Sequence, residues 1–419
     1  MQLYSSLLRE RRVAVVWVGE TLNAFGSGLS VWALAWLLLR TYPGEPLLVA
    51  LVLTVLSGSS LLGTIFLGPR LDVWDRRRTL MRCNFALALL TALLPLVAHT
   101  HLGPFRGAAP LLMLVAAGGV LRSLPAPALS ATLPQLARSE HLGALQALFN
   151  LTWMTGDLVA GAIAGLLISG VGINVAFWID AATFLVAGLG YALVQFPAQS
   201  GSEQLRSSGV TAWWTQLREG WGFVGRRPAL WGMFLGLGMT NAYFSVFGSL
   251  VLPRVGERLL GPERGPLGVG LIDAVSVGAE VVASIWLGRT IVRVRAVRPL
   301  VLLGCIFPVI LATCVVFAPS YPLAMLFALL NGLSFAPLSV LVAVYVARHT
   351  PAFLLGRVSS ARSFFSDAGR PLAMTVSGTL LTLLGLGPMV VTLAGSVVLL
   401  SLFGFWKGAG QPLAEVEVE

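Results

Sequence analysis

Nine ionisable side chains stand inside long apolar stretches of this sequence: Glu20, Arg122, Asp157, Asp180, Asp273, Glu280, Arg362, Asp367 and Arg370. A charge placed in hydrocarbon costs about 2.5–3.5 kcal/mol on insertion scales, so residues kept there carry protons, bind a ligand or pair with one another. On a helix, Glu20, Asn23 and Ser27 share one face. So do Asp273, Ser276 and Glu280, and likewise Ser359, Ser363, Asp367 and Arg370. The chemistry such stripes can do is reversible protonation, because loss of water favours a neutral carboxyl and a nearby Arg favours the ionised one. Counted along the helix, Glu20 lies about 12 Å and Arg122 about 16 Å from the same end of their segments, so the two are expected to meet. Glu20 first, then Asp367 and Glu280, are the expected protonation sites, with Arg122 and Asp157 as further coupling candidates. Asp180 and Asp273 read better as members of structural ion pairs.

The elements that must position these residues follow from composition. The chain has 419 residues, of which 56% are hydrophobic and 11% charged. Soluble domains carry roughly 25% charged residues, and 419 residues cannot enclose a core large enough to hide so much apolar surface from water. A soluble enzyme and a disordered chain are thereby excluded. A span needs about 20 apolar residues, and one span per roughly 35 residues gives about twelve. The pattern places them near 13–39, 46–68, 79–98, 108–133, 143–169, 172–196, 228–252, 267–288, 299–318, 321–347, 356–384 and 387–406.

The basic residues fix an orientation. With the N-terminus in the cytoplasm, nineteen Lys and Arg fall in cytoplasmic segments and five outside, an asymmetry that sets topology. Both termini are therefore expected in the cytoplasm of a cell-membrane protein. No basic patch is long enough to follow a phosphate backbone, so nucleic acid is not an expected partner. Cys83, Cys305 and Cys314 all lie in apolar stretches and imply no disulfide framework. His99 and His101 lack companion ligands, no phosphate-binding loop occurs, and no catalytic constellation stands out. No cofactor, metal or enzymatic activity is expected.

Residues 197–227 interrupt the spans and divide the chain into an N-terminal six-helix bundle (1–196) and a C-terminal one (228–419). Trp213, Trp214 and Trp221, interleaved with Arg218 and Arg226, suit an amphipathic segment at headgroup depth. The halves echo each other. A shift of 213 superposes Gly143, Gly156 and Gly165 on Gly356, Gly369 and Gly378. A shift of 218 puts Asn23-Ala24-Phe25 on Asn241-Ala242-Tyr243. Two parallel six-helix repeats point to a secondary transporter with a site near the membrane midplane.

The loop after the second span reads Gly68-Pro-Arg-Leu-Asp72-Val-Trp-Asp-Arg76-Arg77-Arg78. It resembles the G-x-x-x-D-x-x-x-R-[KR] signature of the major facilitator superfamily. Residues 133–148, 177–189 and 217–230 resemble its macrolide-efflux branch, which includes siderophore exporters. The likeness covers essentially the whole chain. It implies an all-α fold of twelve transmembrane helices in two pseudo-symmetric six-helix bundles, and a proton-driven exporter of amphiphilic small molecules. The second-half counterpart of the loop has Val292 where Asp72 stands, and span 4 lacks the R-x-x-x-G pattern of drug antiporters. Gly68, Asp72, Arg76 and Arg77 would form a gate, with Asp72 capping a facing helix and Arg357 as its candidate partner. By superfamily analogy spans 1, 4, 7 and 10 line the cavity, which makes Asn23, Phe25, Trp32, Asn241, Tyr243, Phe247, Asn331 and Phe335 candidate substrate contacts. The expected partners are a small-molecule substrate, protons and the lipid bilayer, with the transporter acting as a monomer. A lysophospholipid or nutrient carrier on the same fold is the alternative. A non-transporting scaffold or sensor would not need acid-bearing stripes inside its spans.

Overall fold

The computed structural model describes residues 9–67, 71, 74–98, 104–136, 142–194, 218, 221–290, 297–350 and 355–408. Among these residues the structure is helical, with no strand. The long helices are α1 (Arg11–Thr41), α2 (Pro46–Leu67), α3 (Arg76–Ala98), α4 (Pro104–Arg122), α5 (Pro125–Leu136), α6 (Leu142–Gly170) and α7 (Ile173–Leu193). They continue as α8 (Pro228–Val246), α9 (Leu252–Thr290), α10 (Val297–Phe317), α11 (Tyr321–His349), α12 (Leu355–Leu384) and α13 (Leu386–Gly408). Contacts divide the chain into two compact units, residues 1–44 with 55–210 and residues 45–54 with 211–419. Many large apolar side chains face outward, among them Phe66, Leu193, Trp286 and Trp406. In water such exposure would drive aggregation; in lipid it is the ordinary outer surface of a spanning helix.

The structure differs from the sequence reading in two places. The span expected at 108–133 is broken into α4 and α5, with Ser123 and Leu124 between them. Pro125 disfavours helical backbone in the residue before it and can donate no hydrogen bond of its own, so the chain turns there. The segments expected at 228–252 and 267–288 are joined by helical backbone where a loop was anticipated. A π-helical turn, Phe247–Val251, links α8 to α9, and only Gly261 (φ 78, ψ 172) leaves helical geometry inside α9. Glycine is the residue that enters that region without a Cβ penalty.

The repeat seen in sequence is repeated in packing. In the first unit α1 packs on α6 and α7, and α3 on α4 and α7; in the second α8 packs on α12 and α13, and α10 on α11 and α13. The shift of 213 also relates Pro95 inside α3 to Pro308 inside α10. It relates Gly172 (φ 117), between α6 and α7, to Gly385 (φ 81), between α12 and α13. Close approaches recur as well. A methyl group on Gly119 would strike the Leu56 carbonyl of α2, and one on Gly332 the Ser276 carbonyl of α9. Small residues let helix backbones approach where lipid supplies no hydrophobic drive. The two units therefore share one packing plan.

Candidate coupling site and substrate cavity

In the first unit, α1 and α7 run against each other along matched polar faces. Gly19 brings the α1 backbone close to Ala187, whose Cα lies 3.3 Å from where a Cβ would stand. That approach lets side chains on both sides of it interdigitate. α1 presents Glu20, Asn23, Ser27 and Ser30; α7 presents Asp180, Thr183 and Tyr191. The Tyr191 hydroxyl donates to Glu20 Oε1 at 2.6 Å. Glu20 is 1% exposed, and its Oε2 has no hydrogen-bond partner among the described residues. A buried acceptor left unmade is costly, and that cost is relieved when the carboxyl carries a proton. Trp17, one turn earlier, donates its indole N–H to Thr152 Oγ1 of α6 at 2.7 Å and fixes α1 on the other side.

Further along α7, Asp180 is fully buried and pairs with Arg122 of α4 at 3.0 Å. Ser30 donates a short hydrogen bond to the same carboxylate, and the Ser27 and Thr183 hydroxyls approach its other oxygen at 3.5 Å. The Arg122 guanidinium also lies over the Phe184 ring, 5.3 Å from its centroid. A buried ion pair offsets its desolvation only when further hydrogen bonds complete it, as these hydroxyls do.

This arrangement corrects the expected Glu20–Arg122 encounter. The two residues sit at different depths, because Tyr191 and Asp180 are eleven residues or about 16 Å apart along α7, and α1 packs against α6 and α7 while α4 packs against α3. Arg122 therefore meets Asp180, and Glu20 meets Tyr191. Asp180 is an ion-pair residue, and Arg122 is its partner.

In the second unit a cavity of about 240 Å³ opens between α8, α9, α10 and α11. Its walls include Phe244, Phe247, Asp273, Ser276, Glu280, Asn331 and Phe335. The π-helical turn delivers Phe247 and Gly248 to this wall, as such wide turns do at binding sites. Phe244 stands edge-on to Phe335 with centroids 5.3 Å apart. Asn331 accepts from the Ser276 hydroxyl at 3.0 Å and donates to the Pro308 carbonyl of α10 at 2.6 Å, which ties α9, α10 and α11 together beside the cavity. A second cavity of about 270 Å³ is lined by Asn241, Phe335, Arg362, Ser363, Ser366 and Asp367, so Phe335 serves both. Asp367 pairs with Arg370 at 3.4 Å, both side chains about half exposed.

The candidates thus separate. Glu20 and Asn23 are buried in the first unit, while Phe25 and Trp32 are partly buried on α1. Glu280, Phe247, Asn331 and Phe335 meet at one cavity, and Asn241, Phe335 and Asp367 at the other. Tyr243 is buried, its hydroxyl 2.9 Å from Thr313 Oγ1, and it stacks on Phe247 rather than lining the cavity. Gly68, Asp72, His99, His101, Trp213 and Trp214 lie outside the described residues, as do the side chains of Asp157 and Arg357. Of the gate, Arg77 is placed: its guanidinium donates to the Tyr191 carbonyl at 3.1 Å and to that of Ala192. Arg76 opens the same helix.

Tyr191 and Ser30 were missed by sequence reasoning. The signal was present, since Asp180, Thr183, Ala187 and Tyr191 recur on one helical face at i, i+3, i+7 and i+11.

Known proteins resemble this chain in sequence and in shape. The profile of the Major Facilitator Superfamily matches residues 16–374. The multidrug efflux pump Tap of Mycolicibacterium fortuitum is 24% identical over 385 residues, covering 90% of this chain and 91% of its own. Among solved structures, the nucleoside transporter NupG superposes with a TM-score of 0.70 at 13% identity, over 96% of this chain and 100% of its own. A D-xylose-proton symporter does so at 0.68 and 16% identity, over 96% and 99%. Nine helical stretches among the described residues are long and apolar enough to cross a membrane, the longest, Pro228–Leu287, taking in both α8 and α9. With the repeated packing, the profile match and the polar sites enclosed in each unit, this chain is a multi-pass membrane transporter, not an enzyme, and belongs to the Major Facilitator Superfamily.

Proposed function

We propose that the chain is a proton-coupled exporter of amphiphilic small molecules, working by alternating access, monomeric, with both termini cytoplasmic. Drug-like, macrolide-like and siderophore-like compounds are the substrate classes. The observation that carries coupling is Glu20: a fully buried carboxylate with one oxygen held by Tyr191 and the other without a partner among the described residues. Such a group is suited to gain and lose a proton as access to water alternates. The aromatic, acid-bearing cavities of the second unit support an amphiphilic ligand, because rings supply apolar area and a few polar groups fix orientation. The likeness to a multidrug efflux pump supports export of drug-like compounds. The excess of basic residues in the segments assigned to the cytoplasm supports the orientation.

The test is purified protein in proteoliposomes with an imposed pH gradient, screened against a small panel of lipophilic compounds. Wild-type protein concentrates at least one compound against its gradient, and Glu20→Gln loses that uphill movement while keeping downhill exchange. Uphill transport by Glu20→Gln at the wild-type rate would overturn the assignment.

A further inference from the structure

Tyr191 touches two things that the sequence treats separately. Its hydroxyl holds Glu20 Oε1 at 2.6 Å, and its main-chain carbonyl accepts from Arg77 Nε at 3.1 Å. Arg77 ends the loop motif of the sequence and stands in the first turn of α3, and it reaches the carbonyls of both Tyr191 and Ala192 in the last turn of α7. Those carbonyls have no acceptor role left inside the helix, so a basic side chain there completes the helix end and meets the negative end of its dipole. From the Arg77 guanidinium to the Glu20 carboxyl, the path is therefore one residue long. Tyr191 itself is 2% exposed, so its ring cannot turn without disturbing the packed cluster of Val16, Leu80 and Leu145 around it.

We propose that Tyr191 is a positioning residue that joins the proton site to the loop motif, so that the protonation of Glu20 and the docking of Arg77 on the end of α7 are one linked equilibrium. The inference rests on Glu20 being the coupling acid. An ionised Glu20 accepts a strong, charge-assisted bond from the hydroxyl. A protonated Glu20 offers a weaker acceptor, the ring is released, and with it the turn of α7 whose carbonyls anchor Arg77. By reciprocity, an Arg77 that lets go of α7 loosens the hydroxyl and makes the carboxyl hold its proton more firmly. The neutral Asn23 side chain, three residues on along α1, also reaches the Glu20 carboxyl, and few other groups compete. On α7 the next ionisable residue is Asp180, eleven residues or about 16 Å away and paired with Arg122 of α4. From α3 the charged neighbour is Arg77 itself, and from α6 the described polar contact to α1 is the neutral Thr152.

The test needs no substrate. The full chain is reconstituted in liposomes and its carboxyl C=O band is followed by pH-difference infrared spectroscopy, the part missing in Glu20→Gln being the Glu20 signal. Tyr191→Phe keeps the carbonyl and loses the hydroxyl. Its Glu20 midpoint is expected to move about one pH unit to the alkaline side, since a hydrogen bond to a charged group is removed. Arg77→Ala, which touches no part of Glu20, is expected to move it the same way by a smaller amount, and Tyr191→Phe/Arg77→Ala no further than Tyr191→Phe alone. If Arg77→Ala fails to reach the membrane, Arg77→Lys keeps the charge but loses the fork that spans two carbonyls, and is expected to shift the midpoint likewise. An Arg77 variant with the wild-type midpoint, or shifts that add in the double variant, would overturn the linkage while leaving Glu20 as the coupling acid. A carboxyl signal undiminished in Glu20→Gln would instead remove the reading on which it rests.

Discussion

The two units use one packing plan and assign its polar positions in opposite ways. The shift of 218 that matches Asn23 to Asn241 and Ala24 to Ala242 places Gly238 where the first unit has Glu20, and Gly248 where it has Ser30. The consequences are visible in contacts. Glu20 fills the α1–α7 seam with a buried acid, whereas at Gly238 the α8 backbone lies against the Phe365 carbonyl of α12 with no room for any side chain. The first unit encloses Glu20 and Asp180 completely, the one on a tyrosine and the other on an arginine. The second keeps its acids on cavity walls, with Asp273 and Glu280 beside three phenylalanines and Asp367 half exposed. The two frames share helix contacts and repeat-related glycines and prolines. What separates them is how far each acid is withdrawn from water, and on the proposed function that difference fits the first for a proton and the second for a ligand.

The largest expected effect tests that contrast by stability. Asp180→Ala strips the partner from Arg122 inside a span, and removing one member of a buried pair costs about 3–5 kcal/mol. Replacing both, as Asp180→Leu with Arg122→Leu, is expected to restore most of the loss, because no unpaired charge remains. The matching change in the second unit, Asp367→Ala, breaks a half-exposed i,i+3 pair and is expected to cost less than about 1 kcal/mol. Unfolding of the purified protein in detergent measures all three. Equal losses for Asp180→Ala and Asp367→Ala would erase the distinction between enclosed and exposed acids.

Transport sharpens the same comparison. Glu20→Gln is expected to lower pH-driven accumulation at least tenfold, equivalent to about 1.4 kcal/mol or more. Glu280→Gln is expected to raise the KM for a substrate with little change in the maximal rate, as removal of a binding contact does. The reverse pattern in proteoliposome assays would mean that the second unit carries the proton.

Most of the frame was legible in the sequence because membrane burial leaves so few options. Apolar runs of span length, the basic loops and the glycines repeating at 213 are enough to define the helices and their pairing. What was not legible is which neighbour each side chain meets. Counting from expected span ends set Glu20 and Arg122 level, but the span expected to run to 133 breaks after Arg122, and Arg122 pairs with Asp180, eleven residues along α7 from the Tyr191 that holds Glu20. The break at Pro125 was readable from its own chemistry but was masked by the apolar residues on both sides. Phe244 gave no sign of its role, since a phenylalanine in a span is uninformative until the π-helical turn and the cavity behind it are placed.

A smaller effect concerns the cavity wall. Phe335 stands between the two cavities of the second unit and packs edge-on against Phe244. Phe335→Ala removes an aromatic pair worth about 0.5–1.5 kcal/mol, so binding of an aromatic ligand by isothermal titration is expected to weaken roughly two- to tenfold. The matched first-unit change, Phe25→Ala, is expected to leave that affinity unchanged. Weakening by both alike would place ligand contacts in both units.

The smallest expected difference probes the shared frame itself. Gly156 and Gly369 are repeat equivalents, and each meets the equivalent alanine, Ala24 or Ala242, of the neighbouring helix. A Cβ on Gly156 would stand 2.8 Å from the Ala24 Cβ and 3.2 Å from the Phe25 nitrogen, whereas one on Gly369 would stand 3.3 Å from the Ala242 Cβ. Overpacking of this kind costs about 1–3 kcal/mol, and replacing a helical glycine by alanine returns up to about 1 kcal/mol of backbone entropy. At Gly156 the overlap includes backbone, which cannot step aside, so Gly156→Ala is expected to destabilise by roughly 1 kcal/mol net. At Gly369 a few tenths of an ångström suffice, and the two contributions nearly cancel. Thermal unfolding of the two variants side by side reads the gap between them directly. If Gly369→Ala proved the more damaging, the α8–α12 crossing would be the tighter of the two. The first unit's enclosure of its acids would then owe nothing to a closer helix contact, and would rest on the polar side chains of α1 and α7 alone.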